Sequence, residues 1–264
     1  FPKESKFVNL LIPFIGVSKL EIISMDEAIL LSVQGVTKRF GGLVALKDVS
    51  FDVKKGEVVG LMGPNGAGKT TLLNVIAGEY SPDSGHIGFK GQDITRMAPH
   101  KICHLGIART YQIPQPFLTL TARENLLVSA VFGRQLPWAD AEVEDEEIFD
   151  LVGLSEKRDI LAGNLAILSL KKLEIARALA RKPELLLLDE VAAGTTDAEI
   201  PRILDTMQKI RDMGITIIII EHVIKVLVNI VDRIVVLDNG TTICAGRPDA
   251  VMCDKQVMEA YFGT

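Results

Sequence analysis

The sequence predicts an α/β chain in which a parallel sheet is covered by helices on both faces. Three apolar runs carry that reading: EVVGLM at 57–62, LLLLDE at 185–190 and ITIIIIEH at 215–222. A strand buried on both faces shows continuous apolar character with no polar alternation. Helical patterns lie between these runs, and buried strands alternating with helices give a parallel sheet. From about 114 to 163 no such run occurs, so helices are expected to be inserted into the sheet there.

In chain order, residues 7–18, FVNLLIPFIGVS, look like a short signal core. Pro13 interrupts it, and Lys19 and Glu21 follow without a small-residue cleavage pattern. The first 24 residues are therefore expected to be an extension outside the domain, with Met25 a plausible initiator. From Ala28 the pattern becomes strand-like: LLSVQGV, a turn at Gly41-Gly42, then VALKDVSFDV with the same period of two. Lys54-Lys55-Gly56 closes the hairpin before the first buried strand. In the strandless stretch LTARENLLVSAVF reads as a helix. The seven acids from Asp140 to Asp150 read as a solvated helix N-terminus favoured by the helix dipole.

Composition excludes several classes. The 264 residues, with 48% apolar and 24% charged side chains, suffice for one large α/β domain or a core with a smaller subdomain, and argue against disorder. The longest uncharged stretch, 110–122, has 13 residues, short of the roughly 20 needed to span a bilayer. A net charge of −5 and a pI of about 5.5 give no basic surface for nucleic acid. Cys103, Cys244 and Cys253, odd in number and far apart, suggest a reducing compartment and neither a disulfide framework nor a zinc site.

The chemistry begins where VVGLM runs into GPNGAGKTT. Gly63, Gly68, Lys69 and Thr70 fit G-x-x-x-x-G-K-[ST], with a strand before and the helix TLLNVIAG after. The glycines, Gly66 included, let the backbone turn tightly, so that after Pro64 the amides of Asn65-Gly66-Ala67-Gly68 and the helix N-terminus converge on phosphate oxygens. Proline lends no amide of its own. Lys69 then reaches the β- and γ-phosphates, the Thr70 hydroxyl ligates Mg²⁺, and Thr71 is a further nucleotide-binding candidate. LLLLDE supplies the acids such a loop requires: Asp189 as Mg²⁺ partner and Glu190 as candidate general base on the attacking water.

Together with VTKRFGGLVALKDVSF, GIARTYQIPQPFLTLTARENLL, KKLEIARALARKPELLLLDE, the AAG after it, and IIIIEH followed by DRIVVLDNG, these residues resemble the nucleotide-binding subunits of ABC transporters, in particular those of branched-chain amino-acid importers. The resemblance runs from about residue 28 to 264. It implies a P-loop NTPase cassette over 25–264: a mainly parallel sheet core, an antiparallel β-subdomain and a helical subdomain at about 114–180. It further implies ATP and Mg²⁺ as cofactors, Phe40 stacking on adenine, Gln112 touching Mg²⁺ and the attacking water, and His222 contacting the γ-phosphate. The IEH spelling looks more like one of the two paired importer ATPases than its sister, which usually carries Gln there. Partners implied are a second ABC ATPase subunit (a sister chain or another copy) and transmembrane permease subunits, at the cytoplasmic face of the membrane. Nucleic acid is not among them. Rival readings are a nucleotide-binding regulatory module with little hydrolysis and, more remotely, a soluble ABC ATPase acting on ribosomes or DNA.

The departures matter as much. Counting back from Arg177 puts the family's L-S-G/Y-G-Q signature on Leu165, Ala166, Ile167, Leu168 and Ser169. A register starting at Leu168-Ser169 would need a three-residue deletion. A signature lays amides, a hydroxyl and a helix N-terminus against the γ-phosphate held by the opposite subunit, and glycine is needed where no Cβ fits. Ile167 and Leu168 should block that approach. Val191 stands where proline usually follows the acidic pair, and Thr195-Thr196-Asp197 where Leu-Asn-Pro is typical. The sequence therefore implies a working phosphate loop beside a degenerate signature.

Overall fold

The computed structural model describes residues 28–135, 137, 145–192, 194–196 and 198–262. The expected N-terminal extension, Asp140, Glu142 and Glu144 of the acidic run, Ala193 and Asp197 lie outside the described residues.

Strands β1 (Ile29–Phe40) and β2 (Leu43–Lys54) form the expected hairpin about Gly41-Gly42, Phe40 pairing with Leu43. β3 (Val58–Met62) begins the second sheet. β4 (Ser84–Phe89) and β5 (Gln92–Asp93) extend the hairpin into an antiparallel sheet of order β2-β1-β4-β5. β6 (Ile107–Arg109), β7 (Leu185–Asp189), β8 (Thr216–Ile220), β9 (Arg233–Asp238) and β10 (Thr241–Gly246) complete a second sheet of order β10-β9-β3-β8-β7-β6. There β9, β3, β8, β7 and β6 run parallel and β10 antiparallel.

Every residue of β3, β7 and β8 is buried, and strand alternation divides them between two cores. Val58, Leu186, Leu188, Ile217 and Ile219 face one. Val59, Leu61, Leu185, Leu187, Ile218 and Ile220 face the other. The second core is closed by the antiparallel sheet (Leu31, Val33), by α1 (Lys69–Ile76) through Leu72, Leu73 and Ile76, and by Ile102 of α2 (Pro99–Leu105). The first is closed by α3 (Ala122–Arg134), α4 (Asp145–Val152), α5 (Ile167–Leu179), α6 (Ile200–Asp212) and α7 (Ile224–Ile230). Both faces are thus covered, as a parallel sheet requires. The chain ends in α8 (Pro248–Val251) and α9 (Lys255–Phe262).

Helices α3, α4 and α5 all fall between β6 and β7, where the sequence has no apolar strand run. Thr121 starts α3 with a reciprocal cap: its hydroxyl accepts from the Glu124 amide while Glu124 accepts from the Thr121 amide. Asp145, Glu146 and Glu147 open α4, the described end of the acidic run.

Candidate nucleotide site

Strand β3 delivers the chain to the loop at 63–68 and α1 carries it away, so the loop lies at the carboxyl end of a central strand. Gly63 sits at φ 146°, and a Cβ there would meet the Leu237 carbonyl oxygen at 2.0 Å. At Gly68, φ 103°, a Cβ would come 2.5 Å from the Ala45 oxygen. Neither position tolerates a side chain. Gly68 also caps α1 without a side-chain bond, leaving the first helix amides facing the loop. Lys69 is 7% exposed, and its Nζ donates to the carbonyls of Gly63 (2.6 Å) and Pro64 (3.0 Å). Burial pushes its pKa down, against the opposing pull of Glu190 and Asp189.

A groove of about 530 Å³ opens above the loop. Phe40, Leu43 and Asn239 border it, Asn65, Gly66, Ala67, Gly68, Lys69, Thr70 and Thr71 form its floor, and Gln112, Glu190 and His222 form the far wall. The Phe40 ring is 42% exposed and packs edge-on to Tyr80 at 5.2 Å.

The three residues of the far wall come from distant parts of the chain. β7 ends at Asp189, and Glu190 leaves it at φ 54°, a left-handed backbone unusual for a residue with a side chain. Its amide donates to the Ile220 carbonyl at 2.9 Å and its own carbonyl accepts from Lys171 Nζ at 3.2 Å. Gln112 Nε2 donates to Glu190 Oε2 at 2.8 Å, and His222 Nε2 lies 3.0 Å from Glu190 Oε1.

Asp189 is 2% exposed, and neither carboxylate oxygen has a hydrogen-bond partner among the described residues. Burial pushes its pKa up, Arg109 at 3.8 Å pulls it down, and the Thr70 hydroxyl faces it. Arg109 is itself held by Asn74 and by Glu79 at 3.2 Å. An orphaned buried carboxylate beside a hydroxyl is an oxygen donor set suited to a hard divalent cation such as Mg²⁺, so these residues fit that ion.

The segment at 165–169 stands apart from this groove. Leu165 is buried in the helical core, and Ala166 is the N-cap of α5, with no side-chain cap bond. Ile167 is 60% exposed. Ser169 is buried inside the first turn, where its hydroxyl accepts from Lys157 Nζ at 2.9 Å. α5 thus begins at Ile167, and the Ser169 hydroxyl is not presented at the helix end.

Two polar contacts escaped the sequence reading. Glu221, 4% exposed, accepts from the Ala192 amide at 2.6 Å, tying the strand end before His222 to the loop after Glu190. Burial pushes its carboxyl pKa up against the amides of Ala192, Val223 and His222. Tyr261 Oη accepts from the Gly63 amide at 2.7 Å.

Residues 46–193 match the family model described as ABC transporter. The chain is 37% identical over 245 residues to the probable branched-chain amino acid transport ATP-binding protein LivG of Archaeoglobus fulgidus, covering 89% of this chain and 95% of that protein. It is 36% identical to the high-affinity branched-chain amino acid transport ATP-binding protein BraF of Pseudomonas aeruginosa, covering 89% and 98%. The crystal structure of the ADP conformation of an ATP-binding cassette of an ABC transporter superposes with a TM-score of 0.81 at 34% identity, covering 90% of this chain and all of that one. Fold, loop and family match agree, and the chain belongs to the ATP-binding cassettes of ABC transporters.

Proposed function

We propose that this chain is the ATP-hydrolysing motor subunit of an ABC importer for branched-chain or related amino acids, its cassette spanning 25–264 with a helical subdomain at about 114–180. The single observation that carries the chemistry is the convergence of Gln112, Glu190 and His222 on one wall of the groove above Lys69. The named relatives supply the transport role.

Phe40, exposed at the border of the groove, receives the adenine, and the loop amides and the α1 N-terminus receive the phosphates. Lys69 exchanges its two backbone carbonyls for phosphate oxygens. Thr70, Asp189 and Gln112 would hold Mg²⁺, which would supply positive charge against the phosphates. Glu190 takes a proton from the attacking water at a carboxylate oxygen. Gln112 and His222 hold that carboxylate from both sides, so one of them must yield its oxygen when water enters.

Next to Gln112 an apolar patch is left uncovered: Ile113 is 74% exposed, Phe117 49% and Leu118 58%. Backbone bonds tie this segment to 160–163, where Leu161 is 44% exposed. Such a patch marks an interaction surface, and a permease is the partner we assign to it. No helix among the described residues is long and apolar enough to cross a membrane. The chain would then sit peripherally on the cytoplasmic face, beside a second ABC ATPase subunit.

Replacing Glu190→Gln should leave nucleotide binding intact and lower turnover by about 10²- to 10⁴-fold; unchanged turnover contradicts the reading. The rival, a regulatory module that binds ATP without hydrolysing it, is favoured by Ala166, Ile167 and Leu168 at the head of α5. It would show no turnover in any pairing.

A further inference from the structure

We propose that Tyr261, on α9, is a positioning residue that sets the nucleotide affinity of the phosphate loop by fixing the peptide that enters it. The proposal rests on the nucleotide-binding reading above. Met62 is the last residue of β3 in register with β9, pairing with Val236. Gly63 follows it into the loop and is buried, so its amide must find a partner inside the protein. That partner is the Tyr261 hydroxyl, 198 residues away in sequence. Without nucleotide the peptide on the other side of Gly63 is held as well, its carbonyl accepting from Lys69 Nζ at 2.6 Å; once Lys69 turns to phosphate, the Tyr261 bond remains. The main chain of Leu237 packs directly beside the Gly63 Cα, its carbonyl oxygen 2.0 Å from where a Cβ would stand. The tyrosine is a stiff strut, since its ring packs against the core on the helical face of the sheet. Burial also pushes its phenol pKa up, which keeps it protonated and neutral beside the loop.

The path of the chain through Gly63 decides where the following amides point. Those amides cradle the phosphates nearest the loop, while proton transfer occurs at Glu190 on the opposite wall. Loss of the Tyr261 hydroxyl should therefore weaken ADP and ATP by the same factor and spare the chemical step.

The test is Tyr261→Phe in the full chain, which keeps the ring and removes only the oxygen. We expect the Kd of ADP and the KM for ATP both to rise roughly three- to tenfold, the scale of one hydrogen bond, with kcat unchanged. An unchanged ADP affinity alongside a lowered thermal midpoint overturns the proposal, leaving Tyr261 a structural residue. A fall in kcat at unchanged KM overturns it too. Wild-type chain that fails to bind ADP refutes the nucleotide reading itself, and the two failures are separable because the wild type is titrated first. Should the variant not fold, amide hydrogen exchange in the wild type decides: Gly63 exchanging as fast as Asn65 and Gly66 overturns the proposal, and slow exchange supports it.

Discussion

Folding buries the Asp189 carboxylate with neither oxygen hydrogen-bonded among the described residues, and burial raises its pKa. A group whose folded pKa lies above its unfolded value contributes stability at low pH, and loses it as pH rises through the folded value. Ionisation of Asp189 therefore costs the nucleotide-free chain stability. Asp189→Asn is expected to raise the thermal midpoint by about 2–6 °C at neutral pH, because Arg109 keeps Asn74 and Glu79 as partners. The gain should shrink as pH falls through the folded Asp189 pKa, and ATP turnover should be lost. Thermal scans over a pH series, with turnover measured on the same samples, check both signs. At this scale the sequence was legible where spacing carries chemistry: Lys69, Thr70, Asp189 and Glu190 stand in short local patterns. Gln112, His222 and Phe40 needed the family resemblance, since a lone side chain has no pattern of its own. Tyr261 and Glu221 were silent, because what matters about them is a contact with a backbone amide that only the fold brings near.

Helix α5 is where the departures from the family become physical. Its N-cap is Ala166, which offers no side-chain acceptor to the first-turn amides. Ala166→Ser is expected to stabilise the chain by about 1 kcal/mol. Adding Ile167→Gly and Leu168→Gly should cost up to about 1 kcal/mol each in helix propensity while opening the helix end to a phosphate on the opposite subunit. The triple variant should therefore be somewhat less stable than the wild type yet turn over ATP on the order of 10²-fold faster as a homodimer. Thermal midpoint and steady-state turnover, measured side by side, test these opposite signs. The continuous apolar runs of β3, β7 and β8 announced themselves because burial on both faces leaves no alternation to misread. β4, with Gly85 and Gly88, and β6, only three residues long, carried no such signal. They are strands because the free edges of β1 and β7 pair with them, a cause that lies outside their own residues.

At the scale of the whole molecule, the six-stranded sheet gathers the phosphate loop, Glu190 and His222 around one groove, and the head of α5 stands apart from it. We propose that a cassette with this loop and this helix end is half of an asymmetric pair, in which ATP bound on Lys69 and Thr70 is hydrolysed when a partner supplies the signature and the mirror site is weak. The measurement that tests this most directly is steady-state ATP turnover of the chain alone, and mixed with a cassette subunit bearing an intact signature, each with and without Glu190→Gln in this chain. The expected result is near-background turnover alone and clear turnover in the mixture that Glu190→Gln abolishes. Steady turnover by the chain alone at the rate of the mixed pair, or a mixed pair indifferent to Glu190→Gln, would contradict it.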